Sequence, residues 1–523
     1  MSVELSDLEL LELKKRLSEQ CLFPGDFELL HNLLTLLGTI KTELQENKLS
    51  MERLRKVFCI KTEKLEKLKK TTSKNKEGIK KIKGHGKKGS KDYPDATKEF
   101  YKNTLHTKGE ACPDCQRGHL RLSQENGLFL QIDAVQPFSA TVHETEKLIC
   151  DTCGQIFTAE LPSSVEEERF TASAKSMLGL MKYGFGMPFY RQGSLQECLG
   201  IPVPASTQWD ASEKLADSLL PVHRCIESMA ANTGLIHIDD TPMKILNLQL
   251  NEGERKAVHT TGIIAILGNI EICLFYTTNR YAGENLDLLL AKRNPSLPIP
   301  ILMSDASAQN IPKLYSVISI FCLSHARRKF VDIISAFKDE AFFVIEKLKN
   351  VFHNDSLAVS MTSKERLAFH KENSAPYMLE IKDWCKDQIE SKKAEPNSSL
   401  GKAINYFLKF FVGLTGFLNF EGVPLTNDVL ERLIKTVIMH RKNSLFYKTQ
   451  AGAWVGDVNM SIIQTCKKSR ANPFDYMNFV QKNQKIVRAN PELFLPWNYL
   501  KNSSNSAAYN KAEKAIPSVA NFH

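Results

Sequence analysis

Apolar residues recur along this chain in two periods, and the change of period divides it. From Leu30 an apolar residue returns every three or four positions through Leu33, Leu37, Ile40, Leu44, Met51, Leu54, Phe58, Leu65 and Leu68, with Asn47 and Lys61 interrupting the a and d positions. Such a seam predicts an N-terminal coiled coil within residues 1–70 that joins copies of the chain, and a buried Asn is a known register device. An amphipathic helix lying on its own domain would show the same pattern. Beyond Lys69 the periodicity stops, and residues 71–108 read as a flexible linker rich in Lys and Gly. Helical spacing returns over 166–183, 190–199 and 206–229, within a region 161–232. Gly200-Ile-Pro-Val-Pro-Ala-Ser-Thr207 has the turn and N-cap residues that precede a recognition helix, so this region reads equally as a DNA-binding helix-turn-helix or a plain helical connector.

From Gly234 the pattern changes to short apolar, β-branched runs. Leu235-Ile-His-Ile238 predicts a buried strand that delivers Asp239 and Asp240 at its end, where Thr241-Pro242 rules out a helix. Strands follow over 243–250, 259–267 and 271–278, a helix over 284–292, a strand over 299–303, a helix over 308–315 and a strand over 317–322. Three antiparallel strands and then helix, strand, helix, strand is the order of the ribonuclease-H-like fold. In that fold the first and fourth strands are neighbours, which would bring Asp239 beside Asp305. A largely helical insertion over 331–422 interrupts this core, first part 233–330, which resumes over 423–470 before a C-terminal tail, 471–523. In the resumed part, Leu430, Leu433, Ile434, Val437 and Ile438 form one helix face with Glu431 at its edge. The fold class is therefore multidomain α+β/α/β.

Charge sharpens the picture. The net charge is +10, but 17 Lys plus Arg against 4 Asp plus Glu lie between Lys48 and Lys91, leaving the remainder slightly acidic. A concentrated basic segment predicts a polyanionic partner, contacted by Lys80, Lys81, Lys83, Lys87 and Lys88 through phosphates rather than bases. No apolar run reaches membrane-spanning length: the stretch from Gly262 to Tyr276 is broken by Gly268, Asn269 and Glu271. The acidic start, without signal-peptide flanks, and twelve cysteines predict a reducing, cytoplasmic interior.

Four of those cysteines form two C-x2-C knuckles, Cys112-Pro-Asp-Cys115 and Cys150-Asp-Thr-Cys153, separated by 34 residues. Four thiolates at that spacing predict one structural zinc in a zinc ribbon over 109–160, against the plainer reading of unligated core cysteines. Asp239, Asp305 and Glu431 have the other donor chemistry. Carboxylate oxygens suit Mg²⁺ or Mn²⁺, and two such ions can activate the attacking oxygen and stabilise the leaving oxygen at phosphorus. Lys435, Arg441 and Lys442 would hold DNA phosphates nearby. Read blandly, Asp239 caps a turn and Glu431 pairs with Lys435 on a solvated helix.

The chain resembles the large transposases of the insertion sequence 66 family. The resemblance rests on His237-Ile-Asp239-Asp-Thr-Pro242, Cys322-Leu-Ser-His325-Ala-Arg-Arg-Lys-Phe330, Asn427-Asp-Val-Leu-Glu431-Arg432 and Arg441-Lys442-Asn443 with Leu445-Phe446. The Gly-His-Gly element, the paired knuckles, Tyr183 with Pro188-Phe-Tyr-Arg-Gln192, and Leu495-Pro-Trp-Asn-Tyr499 follow the family's order. It implies a DDE-type transposase that cleaves DNA strands and transfers them, with Asp239, Asp305 and Glu431 as the Mg²⁺-binding catalytic triad and Arg327 and Arg328 among the DNA contacts. It also implies element ends and target DNA as partners, with small accessory proteins of the element, in a bacterial nucleoid. The chain departs from the family pattern at Asp240, Ala306 and Asp428. Cys322 and His325 match a recurrent pair whose expected role is packing and positioning. Two rival readings are a simple nuclease on the same fold and a catalytically inactive DNA-binding descendant.

Overall fold

A computed structural model describes the chain at a few positions between residues 15 and 31 and over residues 98–503, with gaps at 114–115, 117, 124–131, 133, 154, 163–164, 166–167 and 254. The apolar seam beyond Leu30, the basic linker as far as residue 97, its five named lysines and Cys115 lie outside the described residues. The chain divides into two units, Met1–Lys80 and Lys81–His523. In the first, Arg16 donates from Nε and Nη2 to the Asp26 carboxylate, both at 2.9 Å.

The second unit opens with a two-stranded hairpin, β1 (Lys147–Ile149) and β2 (Ile156–Thr158). Helices α1 (Ala172–Gly179), α2 (Phe189–Cys198) and α3 (Ala205–Ala231) follow, close to the expected positions. Gly200 takes the left-handed conformation, φ +77°, that turns α2 into α3. The apolar face of α3, including Leu215, Leu219, Val222 and Ile226, is fully buried against the central core.

That core is built on a five-stranded mixed sheet. Its strands are β3 (Leu235–Met243), β5 (Val258–Leu267), β6 (Ile270–Thr278), β7 (Ile301–Ser304) and β8 (Ile318–Phe321), in the order β6-β5-β3-β7-β8; short β4 (Ile245–Asn247) lies outside it. β3, β5 and β6 form an antiparallel meander, whereas β7 and β8 run parallel to β3. Helix α4 (Ala282–Leu290) connects β6 toward β7. The helix expected over 308–315 is only a single 3₁₀ turn, Ala308–Asn310. Pro312 lacks a donor to continue it, and the Asp287 carboxylate instead accepts from the amides of Lys313, Leu314 and Tyr315 at 2.9–3.2 Å.

After α5 (Leu323–Val331), the insertion is helical as expected: α6 (Lys338–Leu357), α7 (Ser363–Asn373), α8 (Ala375–Glu390), α9 (Ser399–Lys409) and α10 (Phe411–Leu414). The chain then returns through α11 (Asp428–Ser444) and β9 (Tyr447–Thr449), which pairs in parallel with β4. Helix α12 (Gln450–Lys468) lies along β6 and is buried for most of its length. Its side chains close that edge of the sheet. Asp457 accepts from the Thr277 amide at 2.6 Å, Ser461 from the Phe275 amide at 3.0 Å and Thr465 from the Cys273 amide at 3.1 Å. Four helical residues rise about 6 Å and two strand residues about 6.6 Å, so every fourth side chain meets every second open amide. Helices α13 (Pro473–Lys482), α14 (Gln484–Ala489) and α15 (Pro496–Ser503) occupy the region expected to be a tail. Tyr476, Phe494 and Tyr499 are instead part of the core. No helix among the described residues is long and apolar enough to cross a membrane.

Candidate active site

Alternation along β3 sends Ile236 and Ile238 to one face of the sheet and His237 and Asp239 to the other. The parallel register with β7 pairs Leu235 with Ile301 and His237 with Met303. The strand does not end at Asp239 as expected but runs on to Met243, because Asp239–Met243 stay paired with Val258–Gly262 of β5. Continuing the β7 register two residues, mid-strand Asp239 stands beside Asp305, just past the end of β7 at Ser304. The loop after β7 fixes Asp305 by one oxygen: Oδ1 accepts from the Ser307 amide at 3.1 Å and from the buried Asn310 side chain.

Glu431 comes from the first turn of α11, and three contacts set its height above the sheet. Asp239 pairs with Gly262 across β3 and β5. A Cβ at Gly262 would lie 3.1 Å from Ile434 and 3.5 Å from Leu430, so the missing side chain admits the turn of α11 that carries Glu431. Asn427, 1% exposed, locks the helix start: its Oδ1 lies 2.8 Å from His237 Nδ1, and its Nδ2 donates to the Ile238 carbonyl at 3.2 Å. Further along, Arg441 donates to Thr241 Oγ1 at 3.0 Å and to the Pro242 carbonyl, tying the helix to the end of β3.

The electrostatics match a cluster of acids. Burial pushes the Asp239 carboxyl up to about 7; the Asp240 amide, donating to Oδ1 at 2.9 Å, opposes this, while the charges of Asp305, Asp240 and Glu431 add to it. Asp240 itself points to the opposite face. Burial raises its pKa, opposed by His259 and the Ala282 amide, and its Oδ2 has no hydrogen-bond partner. Carboxylates gathered around a buried aspartate favour an interposed cation, and an all-oxygen donor set suits a hard one.

Glu431 also faces a different set. Among the described residues, the group of three metal-ligating side chains with ligand atoms all within 4.8 Å of one another is Cys322, His325 and Glu431. The three carboxylates are thus spread more widely than this trio. Lys435, Lys442 and Arg328 are exposed, Arg327 is half-buried, and Arg441 is engaged as described.

The expected zinc ligands Cys112, Cys150 and Cys153 stand at turns. The Cys112 amide donates to the Gly118 carbonyl at 2.8 Å and its carbonyl accepts from Gln116 at 2.9 Å. The amides of Cys153 and Thr152 hold the Cys150 thiol below its ordinary pKa. Cys115 lies outside the described residues.

Sequence reading missed the bracing roles of Asn427 and Asn310. A motif containing Asn427 was the available signal for the first; a lone Asn five residues after an aspartate offers none.

The family model described as "Transposase IS66 family" matches residues 167–454 of the chain. Three proteins of Sinorhizobium fredii, each described as uncharacterized, are similar. y4hP is 25% identical over 63% of this chain and 62% of its own length. y4jD is 30% identical over 36% of this chain and 37% of its own length. y4qI is 27% identical over 34% and 33% respectively. The match therefore spans less than two thirds of each relative.

Proposed function

Because the chain belongs to the IS66 transposase family, we propose that it is a DDE transposase that cuts DNA at the ends of an insertion sequence and joins them to a target. Its core is then a ribonuclease-H-like sheet, an assignment supported by the meander followed by two parallel strands. The observation that supports the reading is the nearness of Asp239, midway along β3, to Asp305, just past the end of neighbouring β7, with Glu431 adding its charge to theirs. Asp239, Asp305 and Glu431 would hold two Mg²⁺ or Mn²⁺ ions, which supply Lewis-acid activation of the attacking and leaving oxygens.

The chain's own residues supply rigidity and grip. Asn427 and Gly262 fix the height of Glu431 over β3, and Asn310 holds one Asp305 oxygen so that the other stays available. Arg327, Arg328, Lys435 and Lys442 neutralise backbone phosphates around the acids, and Arg441 keeps its helix on the strand that bears Asp239. The linker lysines Lys80, Lys81, Lys83, Lys87 and Lys88 add salt-dependent affinity without base reading. Cys112, Cys115, Cys150 and Cys153 hold one structural zinc in a ribbon. The amides that favour the Cys150 thiolate support that assignment, because zinc takes deprotonated sulfur. The Leu30–Leu68 seam joins copies of the chain, and accessory proteins of the element assist. Element ends and target DNA are the partners, in a bacterial cytoplasm at the nucleoid.

The test is a strand-cleavage and joining assay with purified protein, Mg²⁺ and DNA carrying the element's own ends beside a target plasmid. Joined products that disappear with chelator are expected. Specific binding to the ends with no strand breakage in Mg²⁺ or Mn²⁺ would overturn the reading in favour of an inactive descendant.

A further inference from the structure

We propose that Cys322, His325 and Glu431 form a binding site for a soft divalent cation of the zinc class, separate in its donors from the all-oxygen pair Asp239 and Asp305. The three ligand atoms lie within 4.8 Å of one another, with His325 Nδ1 4.0 Å from Glu431 Oε1. One sulfur, one imidazole nitrogen and one carboxylate oxygen are a donor set that Zn²⁺ accepts, leaving its fourth tetrahedral position open.

The site has built features beyond proximity. Cys322 is the N-cap of α5 and His325 its third residue, a spacing that puts both side chains on the same side of the helix start. His325 Nδ1 is buried and has no hydrogen-bond partner, although it points into the cluster. A buried ring nitrogen without a partner carries a desolvation penalty that a cation would remove. The Cys322 sulfur is fully buried and accepts from the Asn427 amide at 3.3 Å. Burial holds the Cys322 thiol above its ordinary range against the amides that donate to it, so the thiol is protonated in the metal-free protein and binding expels its proton to solvent. Glu431 enters from a different helix, braced by that same Asn427, which couples the cluster to β3.

Glu431 cannot serve a soft cation here and the hard pair Asp239 and Asp305 in full. Zn²⁺ in excess of the ribbon's requirement therefore competes with Mg²⁺ for it, a consequence that rests on the catalytic role proposed for Glu431. The binding site itself does not depend on that role.

Zinc content and Co²⁺ binding of the full-length protein test the proposal. Wild type should bind one equivalent of Zn²⁺ more than His325→Ala and Cys322→Ser, with affinity at that site at least ~100-fold weaker in either variant. With Co²⁺ as the probe, Cys322→Ser should reduce the sulfur-to-metal absorption left by the ribbon cysteines, and Asp239→Asn should not. His325 is partly exposed, so His325→Ala covers the case in which Cys322→Ser fails to fold. Folded His325→Ala with the stoichiometry and Co²⁺ spectrum of wild type would overturn the site. Loss of the extra equivalent in His325→Ala, together with undiminished strand cleavage by Asp239→Asn, would uphold the site and sink the catalytic reading instead.

Discussion

Asp239 and Asp457 are both buried and both carboxyls are pushed up to about 7, yet their surroundings differ. Asp457, on α12, accepts from the amide and the hydroxyl of Thr277 at 2.6 and 2.7 Å, and these bonds seal the open edge of β6. Burial alone raises its pKa, and its donors resist the rise. Asp239 is likewise raised first by burial, but Asp305, Asp240 and Glu431 then raise it further. One acid is surrounded by donors and the other by acids. The same residue type at the same pKa is a structural clasp in one place and a frustrated cluster in the other, and the neighbours rather than the pKa tell them apart.

Truncation should separate the two most widely. Asp457→Ala leaves the Thr277 amide buried without its partner and the Thr277 hydroxyl with Thr260 alone, and should lower unfolding stability by about 3 kcal/mol in denaturant titration. Asp239→Asn should do the opposite in metal-free buffer above pH 7, raising stability by on the order of 4 kcal/mol because it removes a buried, repelled charge. If Asp239→Asn destabilised the metal-free protein as Asp457→Ala does, the contrast between clasp and cluster would be gone.

A smaller effect concerns pH. Both aspartates have folded pKa values above the ordinary 3.8. The folded state therefore binds more protons than the unfolded chain between about pH 4 and 7, so each contributes stability at low pH that is lost as pH rises through that window. His223, held near 4, and His440, held near 3, both by burial, work in the other direction. The difference between wild type and Asp239→Asn isolates one carboxyl: their stabilities should diverge by up to about 1.4 kcal/mol per pH unit from pH 4 to 7 and run parallel above it. Divergence that continues above pH 8 would show that some other group is responsible.

The smallest effect should come from spacing alone. Gly262→Val inserts a side chain beneath Leu430 and Ile434 and lifts the first turn of α11 away from Asp239. Cleavage should fall roughly 10-fold while binding to DNA ends stays within about twofold, since a misplacement near 1 Å can cost more than that. Unchanged cleavage would mean that the helix height is not what positions Glu431.

What the sequence disclosed follows from where the interactions lie. The strand bearing Asp239 was legible because Leu235-Ile-His-Ile238 is apolar and β-branched, and α11 because its buried face repeats at helical spacing. The adjacency of Asp239 and Asp305 followed from element order, and the register of β3 with β7 agrees with it. Helix α12 was not legible, because much of its buried face is polar. Asp457, Ser461 and Thr465 are buried against partners 180 to 192 residues away, and a pattern of apolar spacing does not register them. Residues 473–499 read as a tail for the same reason: Tyr476 and Tyr499 find their places only once the core exists. Arg441 read as a phosphate ligand from its charge, whereas its partners Thr241 and Pro242 lie 200 and 199 residues upstream. Cys322 and His325 were recognisable as a pair, but nothing local in the sequence announces that Glu431 meets them.

The central claim is that Asp239, Asp305 and Glu431 are the chemical centre. The direct measurement compares wild type with Asp239→Asn, Asp305→Asn and Glu431→Gln on one DNA fragment carrying the element's end, reading binding by gel shift and Mg²⁺-dependent strand cleavage on the same samples. Each variant should bind the end as wild type does and cleave it slower by on the order of 10³-fold or more, because the acids act in the transition state rather than in holding the DNA. Cleavage within tenfold of wild type in any one of the three, with binding intact, would contradict it.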